Sequence, residues 1–383
     1  MTDIRRDARS FDFLLAIMVI ALGVFGVIMV GSTTGLGRGN VSSVFINQLV
    51  FFITGIGIMV LAAFVNYEFI AKFHWPIFGV NLLLLVWVLV APAPGNVSRW
   101  LGWEIGGFEL GIQPSEFAKI FMLIFLAKII DRHREKINNP LIVAMVVGLT
   151  LVPVGLIFIQ PSLSAPLVPL FIMAALLYTG KISYKYIIAL LIIAVPVALY
   201  LFVDLHRAPG ERVILDMVSA YQLGRVWYFL YPELDVGVVY TYQNLAAMRA
   251  LNSGMLTGRG LFGNTIAVPE PTNDFIFAII GAEFGFIGSI LVILAALIII
   301  IRILQIANRS DVFLGRLIAT GVAAAIAFQV FTHVAINAWL LPNTGMGFPF
   351  VSSGGSAMWV FMAMVGLSIN VGMTRAKSMF DEM

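Results

Sequence analysis

The chain has 383 residues, 60% of them hydrophobic and 11% charged, with a mean hydropathy of +0.99. Soluble domains carry about a quarter charged residues, so this chain lacks the polar surface to cover itself in water, and lipid is the solvent that suits it. The net charge is only +3, and there is no cysteine, which excludes disulfides, thiolate catalysis and cysteine-bound metal; His74, His133, His206 and His333 match no zinc spacing.

The cluster Arg5, Arg6, Arg9 followed by the apolar run Phe11 to Val30 imitates a signal peptide. The run is too long and no small-residue cleavage site follows, so it reads as an uncleaved first span. Apolar runs then recur at roughly 11–31, 46–66, 74–92, 114–130, 140–159, 164–179, 185–203, 273–301, 312–340 and 355–373, each about long enough for a ~30 Å hydrocarbon core. The expected fold class is an all-α integral membrane protein, a bundle of about ten transmembrane helices forming a single polytopic membrane domain over 1–383. An even number of spans puts both termini on one side. With that side cytoplasmic, the inner segments hold fifteen Lys and Arg residues and the short outer loops only Arg38 and Arg99, as the positive-inside rule requires.

Residues 204–272 interrupt the rhythm as a large extracytoplasmic loop between spans 7 and 8. Loops of this length are usually functional or disordered. This one carries Trp227, Tyr228, Phe229, Tyr240 and Tyr242, and Tyr242 to Met255 has near-helical apolar spacing, which suggests a helix at the interface. No internal repeat of the kind common in transporters is evident.

A few polar residues stand out against this background. Asp274 opens the eighth span and reads either as a helix N-cap or as a general base at the membrane surface. Glu116 and Lys119 share one face of the fourth span; they form either a structural ion pair or the lining for a polar or anionic ligand, to which Arg99 of the preceding loop could add charge. Glu283 follows Asp274 by nine residues, two and a half turns, so it faces elsewhere and reads as a buried structural glutamate. The glycine- and proline-rich stretch Leu341 to Ser356 is either a plain loop or a source of hydroxyls and amides for phosphate or sugar. Gly258-Arg-Gly-Leu-Phe-Gly263 matches a dinucleotide fingerprint by pattern, but no strand precedes it and that reading fails.

Taken together, Arg99-Trp100, Gln113-Pro-Ser-Glu-Phe-Ala-Lys119, Tyr242-Gln243, Ser253-Gly254, Gly258-Arg-Gly260, Asn273-Asp-Phe-Ile-Phe-Ala278 and Pro349-Phe-Val-Ser-Ser-Gly-Gly-Ser356 resemble the SEDS family of shape, elongation, division and sporulation proteins, which includes RodA, FtsW and SpoVE; a divergent, RodA-like member is favoured. The resemblance implies a peptidoglycan glycosyltransferase that polymerises lipid II at the outer face of the bacterial cytoplasmic membrane. Asp274 is then the catalytic base, and Arg99, Glu116, Lys119, Gln243, Arg259, Ser352 and Ser356 are candidates for substrate binding, with Arg212 a further candidate cation. A divalent cation, magnesium or manganese, is an expectation for the leaving pyrophosphate. The implied partners are a class B penicillin-binding protein transpeptidase and other membrane proteins of the elongation or division complex, with no nucleic acid. The chain departs from the family pattern at Ser162, where an aspartate is frequent, and at Ala282, Ser353 and Arg259, where glutamate, tyrosine and lysine are common. Two alternatives remain beside the polymerase: a lipid II flippase and a catalytically weak scaffold that recruits a transpeptidase.

Overall fold

The computed structural model describes residues 4–6, 10–39, 41–91, 99–105, 108–160, 162–206, 220–234 and 241–376. Arg212 and Tyr240 lie outside the described residues. Helix α1 spans Phe13–Thr33, and its start is fixed by the Asp12 carboxylate, which accepts the Leu15 N–H at 3.0 Å. Helix α2 (Ser43–Phe64) begins three residues before the apolar run because Ser42 caps it, accepting from Phe45 N–H at 3.2 Å. A short α3 (Tyr67–Lys72) leads into α4 (His74–Val90). Then come α5 (Pro114–Arg132) and α6 (Pro140–Ile159), each with proline in the first turn, where a missing N–H costs nothing. Helices α7 (Leu167–Thr179) and α8 (Tyr184–Leu205) follow.

The long segment after α8 contributes α9 (Ala220–Leu230) and α10 (Tyr242–Ser253), the second being the helix its spacing suggested. The chain ends with α11 (Ile276–Arg309), α12 (Phe313–Asn337) and α13 (Gly355–Met373). Ten of these helices coincide with the ten apolar runs. Among the described residues, six are long and apolar enough to cross a membrane, and α4 and α7 are shorter apolar helices. Four short strands add two ladders to an otherwise helical fold: β1 (Ile4–Arg6), β2 (Leu101–Ile105), β3 (Phe108–Ile112) and β4 (Thr374–Ala376), pairing β1 with β4 and β2 with β3, both antiparallel.

Helices α12 and α13 are the most enclosed spans, and α13 lies along α2 while α11 lies along α12. Helix α8 stands at the periphery, with no extensively packed neighbour among the described residues.

At 34 residues, α11 would be about 50 Å long if straight, well beyond a ~30 Å core. It breaks at Gly285, whose φ of +65° and ψ of −162° suit only glycine. The loop after α10 threads into the break. Arg259 and Gly260 N–H donate to the carbonyls of Ala282 and Glu283 at 3.0 and 2.9 Å, and Phe286 and Ile287 N–H donate to Met255 and Leu256 carbonyls at 2.9 and 3.1 Å. Backbone groups freed by the kink are thereby paired, as the membrane interior demands. A side chain on Gly258 would strike the Glu283 carbonyl. The glycines that imitated a dinucleotide motif therefore serve a close backbone crossing.

Candidate active site

A cavity of about 230 Å³ opens at the end of the bundle where α5, α7, α11 and α13 begin. Arg99, Glu116, Lys119, Arg225, Asp274 and Ser352 are among its lining. It therefore holds three cations and two carboxylates in one space.

The first helical turns of α5 supply Glu116 and Lys119. Lys119 is 2% exposed, and its Nζ donates to both Glu116 oxygens at 2.7 Å and to Gln329 Oε1 at 2.9 Å. The ammonium also sits 5.3 Å from the centre of the Phe361 ring. The two readings of this pair are thus joined: it ties α5 to α12, and it faces the cavity.

Asp274 lies just ahead of α11 and does not cap it. The residue at the cap position is Phe275, and the Ala278 N–H is taken instead by Asn337 Oδ1 at 3.0 Å, from the end of α12. Asn337 Nδ2 donates to the Asp274 carbonyl at 3.0 Å. Asn337 therefore does the capping, and the Asp274 carboxyl is left to face the cavity. Burial pushes this carboxyl up to about 6; the Arg225 guanidinium opposes the rise, Glu270 adds to it, and Arg99 and a hydrogen bond from Asn343 oppose it more weakly.

Gln329, His333 and Asn337 recur every four residues, so they form one buried polar stripe on the otherwise apolar α12. Gln329 Nε2 donates to the Gly347 carbonyl at 3.0 Å, and His333 Nδ1 pairs with the Met346 carbonyl at 2.7 Å. The stripe thus moors the loop between α12 and α13 over the cavity. Asn343 of that loop is held by Gln243 Oε1 at 2.9 Å, and its carbonyl accepts from Arg225 Nη1 at 3.2 Å. Gly345 follows with φ of +76°, and a Cβ added there would lie 3.7 Å from Asp274 Oδ2. Gly345→Ala should cost about 1–2 kcal/mol for the left-handed backbone alone, read as a lowered thermal unfolding midpoint of the purified chain.

The remaining sequence candidates occupy other places. Ser352 lines the cavity, but its hydroxyl is committed: it donates to the Asn273 carbonyl at 2.8 Å and accepts the Phe348 N–H at 2.7 Å. Its work is to hold the segment carrying Asp274. Ser356 is outside the lining and buried; its hydroxyl accepts the Gln113 N–H at 3.0 Å and donates to the Gly111 carbonyl at 3.3 Å, joining α13 to the start of α5. Gln243 positions Asn343 from outside the lining. Arg259 is exposed, also outside the lining, with Nη1 on Thr265 Oγ1 at 2.8 Å and Nε on the Ser253 carbonyl at 3.3 Å; it stiffens the loop that crosses α11. Ser162 lines the cavity, so a carboxylate at that position would have been a third acid within it.

Sequence reasoning passed over Arg225, Gln329, Asn337 and Asn343. The polar stripe on α12 had a visible signal in its four-residue spacing. Arg225 had none beyond its charge, because the loop had to fold as α9 before that charge could point at Asp274. Glu283 is buried and accepts the Ser32 hydroxyl, joining α11 to α1 as a structural glutamate would.

Among the described residues, no group of three or more His, Asp or Glu is placed to hold a metal ion. Glu116 is taken by Lys119, which leaves Asp274 as the cavity's one carboxylate without a lysine partner. Among the described residues, this donor set does not suit a resident divalent cation.

Fold and site together define a class: a multi-pass helical membrane protein with three cations and two carboxylates gathered in a cavity at one end of the bundle. The family of cell cycle proteins typified by FtsW, RodA and SpoVE matches residues 11–377, and the chain belongs to it. The chain is 30% identical over 375 residues to the probable peptidoglycan glycosyltransferase FtsW of Trichlorobacter lovleyi, covering 94% of this chain and 93% of that protein. It is 30% identical over 377 residues to stage V sporulation protein E of Bacillus subtilis, with 94% and 97% covered. A solved chain from a peptidoglycan synthase complex, described for the coordination of polymerization and crosslinking, superposes with a TM-score of 0.76 at 25% identity, covering 94% of this chain and 97% of that one.

Proposed function

We propose that the chain is a peptidoglycan glycosyltransferase that joins lipid II units into glycan strands, with Asp274 as general base. The observation that carries this reading is the Asp274 carboxyl, uncapped and facing a cavity shared with Arg99, Arg225 and Lys119. The acceptor sugar hydroxyl gives its proton to the Asp274 carboxylate as its oxygen attacks the anomeric carbon of the donor. The bond to the lipid pyrophosphate breaks, and the departing negative charge falls among the cavity's cations. In-line attack on an α-linked donor inverts the centre and yields a β-linked strand. A carboxyl held near 6 is ionised at neutral pH and still basic enough to accept a proton.

The arginine and lysine pattern supports both termini in the cytoplasm and the cavity at the outer face of the cytoplasmic membrane. The resemblance of the fold to a chain from a synthase complex supports a crosslinking transpeptidase, of the class B penicillin-binding type, as partner. The reaction is tested by incubating purified lipid II with the purified chain, alone and with that transpeptidase, and resolving glycan polymer by gel. Transbilayer movement of lipid II without any polymer would overturn the proposal in favour of a flippase.

A base acts as its carboxylate, so activity should fall as pH drops through about 6 and level off above it. Arg225 holds the Asp274 carboxyl down against burial. Arg225→Ala should therefore move the acid limb of the pH–rate profile to higher pH, measured as initial polymerisation rates between about pH 5 and about pH 8. An unmoved limb would separate Arg225 from the base.

A further inference from the structure

At the opposite end of the bundle, a second cavity of about 650 Å³ lies between the corner joining α7 to α8 and the paired helices α11 and α12. Lys181 comes from the corner and Arg316 from the first turn of α12, and no acidic side chain is in the lining. Three other cations at this end have partners. Arg302 pairs with Asp12 at 2.8 Å, Lys128 with Asp131 at 2.9 Å, and Arg134 lies 4.4 Å from the centre of the Phe313 ring.

Arg316 and Lys181 have no carboxylate within ion-pairing distance among the described residues. Arg316 Nη2 donates to the Ser310 carbonyl at 3.1 Å, while its Nε is buried with no hydrogen-bond partner. A buried guanidinium nitrogen left unpaired is costly, and an anionic oxygen is the partner that suits it. Two cations on separate elements, aimed into one space without a counter-charge, are more than the loop charge that orients a membrane protein.

The cavity wall also has a second character. Leu304 and Ala307 of α11 line it beside Ser183 and Asn308, so polar groups and an apolar surface meet there. Tyr178 and Tyr184 also line it and are 67% and 71% exposed, the placement of tyrosines at a membrane–water interface. Helix α8, which leaves the corner, has no extensively packed neighbour among the described residues. The corner itself is held in place: Ser183 N–H donates to Asn138 Oδ1 at 2.6 Å and the Tyr186 hydroxyl to the Asn138 carbonyl at 2.7 Å. The cations are therefore presented by a fixed frame.

We propose that this cleft binds the phosphate headgroup of an anionic lipid, with Arg316 and Lys181 on the phosphate and the acyl or prenyl chains running along α11 beside α8. Both a phospholipid such as phosphatidylglycerol and a polyprenyl phosphate present this chemistry. The site is distinct from the polymerisation cavity, and the proposal stands whether or not that reaction is the right one.

The test is retention of lipid by the purified full chain in native mass spectrometry, with dioleoyl phosphatidylglycerol against dioleoyl phosphatidylcholine. The wild type should prefer the anionic lipid. Lys181→Ala should weaken retention about fivefold, and Lys181→Ala with Arg316→Gln roughly thirtyfold, from the usual worth of one basic residue near an anionic headgroup. Lys181 is exposed, so its single variant reports on binding even if Arg316→Gln disturbs the corner. Competition with undecaprenyl phosphate at equal mole fraction assigns the source: displacement of phosphatidylglycerol points to the prenyl lipid, and its persistence to the phospholipid. Equal retention of the two dioleoyl lipids by wild type, or an unchanged preference in both variants, would overturn the proposal.

Discussion

Asp274→Asn should reduce lipid II polymerisation by about 10²- to 10⁴-fold, the usual worth of a positioned base, without lowering the thermal stability of the chain. The two halves of this result come from the same geometry. Asparagine keeps the shape and the polar contact with Asn343 but cannot take a proton. Burial raises the Asp274 carboxyl from the ordinary aspartate value of 3.8 to about 6, so between those values the folded chain holds the proton more tightly than the unfolded one. This group's contribution to stability therefore falls as pH rises across that window, and at neutral pH the ionised carboxylate is a burden on the fold. Removing the charge should leave the unfolding midpoint at neutral pH unchanged or higher. The backbone at Asp274 is meanwhile held by Asn337 and, through Asn273, by Ser352, so the segment should stay in place. An inactive variant with wild-type or better stability points to chemistry; a variant that keeps wild-type polymerisation would remove Asp274 from the reaction and require another base.

The bundle was legible because lipid imposes one rule on every span, a run of apolar residues long enough to cross. Two helix starts shifted by two or three residues where a polar cap decided them, as Asp12 and Ser42 do for α1 and α2. The break at Gly285 was hidden, because a glycine in an apolar run carries no sign of the loop that will cross it. Asp274, Glu116, Lys119 and Arg99 could be singled out because charge beside or within an apolar run is costly and demands a use. Gln243, Arg259 and Ser356 were bound to the same motifs in sequence, but their side chains are spent on fastening loops and helices to one another. Arg225 was unreadable as a site residue for the opposite reason: it lies in the long polar segment, where a lone arginine is unremarkable until α9 brings it beside Asp274 and Asn343.

Lys119→Met should be the most damaging single change to stability, and a paired variant can tell its structural part from its functional part. Lys119 is 2% exposed and Glu116 13%. Loss of the ammonium leaves a carboxylate in the cavity with no partner and strips Gln329 Oε1 of its donor. Breaking a buried pair from one side costs about 3–5 kcal/mol, which should appear as a large fall in the unfolding midpoint. Gln329 also holds the Gly347 carbonyl, so a disturbed Gln329 would loosen the loop that carries Asn343 and Gly345 over Asp274. Adding Glu116→Gln to Lys119→Met removes the stranded charge and should recover most of the stability. If the ammonium also receives the departing pyrophosphate, the double variant will be stable and still polymerise poorly. Recovery of both stability and polymerisation in the double variant would make the pair a brace between α5 and α12, and the cationic work of the cavity would fall to Arg99 and Arg225.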